Sequence, residues 1–171
     1  MGILRNRKGN DGGRRFQMRE RMLAIGDDYW IEDEGGDRAF LVDGKALRVR
    51  DIWVMKDVDG NDVAEIKERK LSVRDKMVIE LGGRKATVTK RIVGIRDHFK
   101  VEVDDGSDFK VHGNIVDHEY KIERSGDTVA EISKKWFRVR DTYGVDVSAG
   151  QDAVLMLAIT VAVDGMTRDL G

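Results

Sequence analysis

The sequence predicts a mainly-β fold, a closed antiparallel barrel of about twelve strands around a central hydrophobic C-terminal helix. Three observations carry this. Apolar and polar residues alternate along most of the chain, the period of half-buried strands. Glycine-containing turns punctuate the alternation at short intervals. Near the C-terminus the alternation gives way to an eleven-residue run, 153–163, in which Thr160 is the one polar member.

Residues 1–15 read as a flexible basic tail, with Arg5, Arg7, Lys8, Arg14 and Arg15 against Asp11 and with Gly9, Gly12 and Gly13 between them. Met1 to Asn6 lacks the apolar core of a signal peptide, and Asn6 breaks the myristoylation pattern. Residues 16–171 read as one domain. Between 16 and 147 the alternation is clearest at Met77-Ile79-Leu81, Phe99-Val101-Val103, Phe109-Val111 and Tyr143-Val145-Val147. The turns are Asp59-Gly60-Asn61, Gly82-Gly83, Asp105-Gly106-Ser107 and Ser125-Gly126-Asp127. Short links make the sheet antiparallel, and a sheet of about twelve strands removes its edges by closing.

The run 153–163 is too short to span a membrane and too apolar to face water, so it predicts a core helix that fills the barrel. Asp152 and Asp164 bracket it. Ser148 and Gln151 have capping-box spacing, and Gly165 stands where a C-cap glycine would.

Residues 60–75 align without gaps to 126–141 at an offset of 66, with eight of sixteen positions identical. An F-x-V-x-G element precedes each copy, Phe40-Val42-Gly44 and Phe109-Val111-Gly113. The domain therefore reads as an internal duplication, two related halves of one closed sheet. The repeated Val-Arg-Asp reads as a strand end with an Arg–Asp pair at a turn.

GNIVDHEYKIERSGDTVAEISKKWFRVRDTYGVDV (113–147), followed by DAVLMLAITVAVD (152–164), resembles the LURP-one-related family, and FLVDGKALRVRDIWVMKDVDG (40–60) is similar to that family's first half. The resemblance extends over about 16–168. It implies the tubby C-terminal-like fold, shared with the phosphoinositide-binding tubby domain and with phospholipid scramblases. It brings no catalytic motif, and the defence role of plant members need not extend to this chain.

Composition narrows function by exclusion. Lys+Arg 31 against Asp+Glu 32 gives a net charge of −1, which argues against a dedicated nucleic-acid binder. The absence of cysteine removes disulfides, thiolate catalysis and Cys-based zinc sites. His98 and His112 alternate with apolar residues and should face solvent. His118 shares parity with Tyr120 and Ile122 and reads as a hydrogen-bonded core residue. Asp57 to Glu68 has the length of a calcium loop, but Asp62 stands where glycine is needed, so a hairpin turn is expected. No catalytic, metal-binding or cofactor-binding residue is assigned, and no ligand-binding residue stands out.

Charge segregates along the chain. Residues 84–100 hold Arg84, Lys85, Lys90, Arg91, Arg96 and Lys100 against Asp97, while 27–43 are acidic. Pairing of neighbouring strands across the barrel surface would account for this, and a basic patch for phosphate or anionic lipid is the alternative. The sequence thus predicts a non-enzymatic binding or scaffold module. The alternative is a peripheral membrane protein recognising anionic phospholipid headgroups. Its partner would be a protein or an anionic lipid, with no nucleic acid and no transmembrane segment. The chain would be cytoplasmic, at most peripheral to a membrane.

Overall fold

The alternation folds as twelve strands: β1 (Arg14–Arg19), β2 (Tyr29–Asp33), β3 (Arg38–Asp43), β4 (Ile52–Lys56), β5 (Asp62–Arg69), β6 (Lys76–Leu81), β7 (Arg84–Val93), β8 (Arg96–Val103), β9 (Asp108–Asn114), β10 (Glu119–Arg124), β11 (Asp127–Ser133) and β12 (Thr142–Val147). The helix α1 (Ala153–Arg168) follows. The computed structural model describes residues 12–19, 28–43, 52–69, 76–93, 96–137 and 140–168. Residues 1–11 of the basic tail lie outside these, while Arg14 and Arg15 open β1. Each strand pairs antiparallel with its chain neighbours, and β1 pairs with β12 to close the barrel.

Inward positions carry the apolar residues, among them Phe16, Ile31, Met55, Ile66, Phe99 and Ile132, each at most 1% exposed. The helix occupies the interior, with Leu155, Leu157, Ala158, Ile159, Val161, Ala162 and Val163 buried. It packs on β5, β6, β7 and β12. Each large apolar side chain so buried contributes about 1.5–3 kcal/mol, which explains a helix without a polar face. Its cap differs from the capping-box expectation. Asp152 accepts from Leu155 N–H at 3.1 Å, whereas Ser148 closes the preceding turn through its carbonyl. Gly165 is not a cap either. It lies within the helix, where a Cβ would come 2.9 Å from Met77 Cε and 3.4 Å from Trp53 Cη2.

The duplication maps strand onto strand. The first copy forms β5 and the second β11, each the second strand of a hairpin. Ile66 and Ile132 are both buried, as are Ala64 and Ala130. Both hairpins shift register at one place, between Met55 and Lys56 in one and between Ile122 and Glu123 in the other. Val73 and Val139 lie outside the described residues. Gly113 shows why its motif ends in glycine. Its φ is +133°, and a Cβ would meet the Glu119 carbonyl oxygen and Tyr120 Cα, both backbone, at 2.8 Å. Arg140 and Asp141 form the turn before β12, where Asp141 takes a φ of +58°.

Candidate functional site

Even-numbered strands begin, and α1 ends, at the same end of the barrel. Strand direction brings Tyr29 (β2), Tyr120 (β10), Tyr143 (β12) and Asp164 (α1) together there, with His118 in the turn before β10. These are all the tyrosines of the chain. Asp164 lies near the negative end of the helix dipole, where a buried carboxylate is doubly disfavoured and needs donors. Tyr143 donates its hydroxyl to Asp164 Oδ2. His118 Nε2 lies 3.4 Å from Asp164 Oδ1, with side-chain exposures of 14% and 9%. The imidazole stacks on the Tyr143 ring at 4.2 Å. His118 holds a left-handed φ of +52° to make these contacts.

Burial, and then the Asp164 charge, push all three phenols well above the usual tyrosine range. The Tyr29 and Tyr120 hydroxyls and His118 Nδ1 are buried without hydrogen-bond partners among the described residues. Tyr120 faces the Thr160 hydroxyl short of hydrogen-bond geometry, and that hydroxyl donates to the Met156 carbonyl at 2.9 Å. The cluster is an internal polar lock between the helix end and three strands. His118 is part-buried and sits in the turn before β10 rather than on the strand, its ring packed on Tyr143 and its Nδ1 without a hydrogen-bond partner among the described residues. The sequence marks Asp164 only as a bracket of the apolar run, because no motif along the chain links it to Tyr29, Tyr120 or Tyr143.

The outer surface bears on partners. The basic segment 84–100 forms β7 and β8, and the acidic segment 27–43 holds β2 and β3. In the barrel order these lie on opposite sides, so they do not pair with each other as neighbouring strands, and that expectation is corrected. The basic side is not the contiguous stretch 84–100 either. Lys90 is buried at 7% exposure, because it shares the inward parity of Ala86 and Val88 and stands opposite Phe99. Arg84 is held by Asp105 and Asp152, and Lys100 by Glu102.

Exposed cations come instead from separate strands. Arg91 (β7), Lys110 (β9) and Lys121 (β10) make no ion pair among the described residues. Lys100 and Lys110 stand directly opposite one another, a like-charge pairing that Glu102 offsets at Lys100. His98 and His112 also face each other across β8 and β9 and are part-exposed, as their parity predicts. Asp57 is a turn residue. Its Oδ1 accepts from Asp59 and Asn61 N–H at 3.0 and 2.9 Å, so no calcium loop forms. No group of three potential metal ligands occurs among the described residues. No helix among them is long and apolar enough to cross a membrane.

The sequence profile of LURP-one-related proteins matches residues 14–164, from the first residue of β1 to the buried carboxylate of the lock. The chain belongs to the LURP-one-related family. It is 23% identical over 148 residues to the uncharacterised protein YxjI of Bacillus subtilis, covering 86% of this chain and 90% of that one. The crystal structure of a protein from Arabidopsis thaliana superposes with a TM-score of 0.61 at 16% identity, covering 91% of this chain and 92% of that one. In this LURP-one-related chain the fold is therefore shared with a plant protein despite low identity.

Proposed function

We propose that this LURP-one-related barrel is a non-enzymatic binding module whose contact face is the outer surface of β7 to β10, and that its partner is anionic. The separation of charge to opposite sides of the barrel carries this reading, with Arg91, Lys110 and Lys121 left exposed on the basic side. The polar cluster at Asp164 supports the non-enzymatic half. Phenols pushed up by burial stay neutral, which disfavours them as bases or nucleophiles, and Tyr143 donates to Asp164. An anionic phospholipid headgroup is the finer reading. Each cation near an anionic surface contributes about 1 kcal/mol, so three give millimolar-class attraction at best.

Co-sedimentation with phosphatidylglycerol vesicles tests it. Weak binding should appear at about 0.1 M salt and vanish by about 0.5 M as screening shortens. Arg91→Glu with Lys110→Glu should abolish it while leaving the melting temperature unchanged. Equal binding to phosphatidylcholine vesicles, or binding indifferent to salt, would defeat the reading.

A further inference from the structure

The exposed cations are organised in rows. Across four strands, Arg91 stands opposite His98, His98 opposite His112, and His112 opposite Lys121. The two imidazoles are 6.4 Å apart. Alongside lies a groove of about 630 Å³ on the outer face, lined by Arg91, His98, Lys100 and Lys110 with Asp108 and Glu123. With neutral histidines this lining holds three cations against two carboxylates. Charging His98 and the adjoining His112 adds two more positive charges, the larger part of the total.

We infer that this groove binds the phosphate of an anionic headgroup and takes up protons at His98 and His112 when it does so. The inference rests on the reading above and names its site and its control. The charged groups facing the pair are Arg91 from β7, Lys100 beside His98, Lys110 beside His112, and Lys121 and Glu123 from β10. Glu123 stands opposite Lys110 yet reaches His112 Nε2 at 2.9 Å. Lys100 is held by Glu102 at 2.6 Å, and Lys121 stands opposite Glu131 on β11. Glu123 can balance one imidazolium of the pair, at His112, and Glu102 already holds Lys100. A phosphate in the groove would balance the charge added at His98. Linkage then runs both ways: the ligand promotes protonation, and protons promote binding. Histidine is the side chain whose charge can change within the pH range cells use.

The test uses phosphatidylglycerol vesicles, whose phosphodiester charge is constant between about pH 5.5 and 7.5. Wild-type chain should bind about five- to thirty-fold more tightly at the lower pH, the equivalent of one to two added cations. The double variant His98→Asn, His112→Asn should keep the weak binding of the higher pH and lose most of the pH dependence. Wild-type binding indifferent to pH, or a double variant that keeps the full dependence, overturns the proton-linked site while leaving an anionic contact face standing. Arg91→Glu with Lys110→Glu probes that face separately. If this variant binds like wild type at both pH values, the face itself is wrong, however the histidines behave. Glycerophosphoglycerol, the headgroup without its tails, should displace the vesicles when in large excess. Failure to compete overturns the groove and leaves diffuse surface attraction.

Discussion

At one end of the barrel the chain turns on five-residue codes; at the other, residues from 29 to 164 gather around one carboxylate. At the first end Asp33 accepts from Gly35 and Asp37 N–H, Asp57 from Asp59 and Asn61, and Asp105 from Ser107. Gly36, Gly60 and Gly106 follow with φ of +84° to +86°. The helix starts here too, where Arg84 ties Asp152 to the Asp105 turn. At the second end Tyr29, Tyr143 and the pair His118 and Tyr120 meet Asp164 from three separate parts of the chain. Apart from the Arg84 ion pairs, the first end is made of local contacts that each hairpin forms alone. The second exists only once the barrel has closed, so its contacts report on the whole fold.

Alkaline titration should separate the ends most strongly. The folded chain holds all three phenols protonated beyond the pH at which an unfolded chain releases them, near 10. Stability is therefore complete below about pH 10 and falls above it, by up to about 1.4 kcal/mol per pH unit for each tyrosine. Three together approach about 4 kcal/mol per unit, comparable within one to three units to a typical domain's whole stability. Phenolate absorbance and loss of far-ultraviolet circular dichroism should rise together in one cooperative step. Phenolate appearing at about pH 10 with the dichroism unchanged would show that the tyrosines are not buried as described.

Glycines give the next contrast. A Cβ at Gly113, beside Tyr120, would press on backbone at 2.8 Å in addition to its positive φ. Gly113→Ala should destabilise by about 3 kcal/mol, at the upper end for one substitution. Equilibrium urea unfolding measures it, and a loss below about 1 kcal/mol would mean that β9 and β10 separate easily there.

How much of this was legible follows the same division. The tight turns were readable because Asp57, Gly60 and Asn61 act within one window. The closed sheet was readable because its parity repeats along every strand, and the helix because an apolar run of that length has few other places to go. The duplication was readable from identity at Ile66 and Ile132. The lock was not, because nothing in the neighbourhood of Tyr29 refers to Asp164. Lys90 misled for a related reason: as one charge in a basic stretch it suggested surface, and only its parity with Val88 indicated the interior. The cationic face escaped because its members, Arg91, Lys110 and Lys121, are neighbours across strands and not along the chain.

Two tyrosine variants should sharpen the picture of the lock. Tyr143→Phe removes the donor to a buried carboxylate and should cost about 2 kcal/mol, or about 4–8 °C in melting temperature for a chain of this length. Tyr29→Phe removes a buried hydroxyl that has no partner among the described residues. It should be neutral, or should stabilise by up to about 1 kcal/mol, since an unsatisfied polar atom leaves the core. Equal losses in the two variants would mean that the phenols share one network and that the Tyr143–Asp164 bond is not special.

The smallest effects belong to the tight-turn end. A Cβ at Gly60 meets nothing within 4 Å, so Gly60→Ala carries only the strain of a φ of +86°. That amounts to about 1 kcal/mol, roughly a third of the Gly113 loss. Asp57 beside it has its carboxyl held below the usual range, first by the Asn61 side chain and then by backbone N–H groups. Its contribution is present at neutral pH and fades as pH falls below about 4 through the lowered value. Asp57→Asn keeps an acceptor oxygen for those N–H groups, whereas Asp57→Ala leaves none. The Asn variant should melt like wild type at neutral pH, and the Ala variant a little lower. Because the turn forms within one hairpin, neither variant should alter the alkaline step set by the tyrosines. If either one did, the ends would be coupled, and the division into a locally coded end and a globally assembled end would fail.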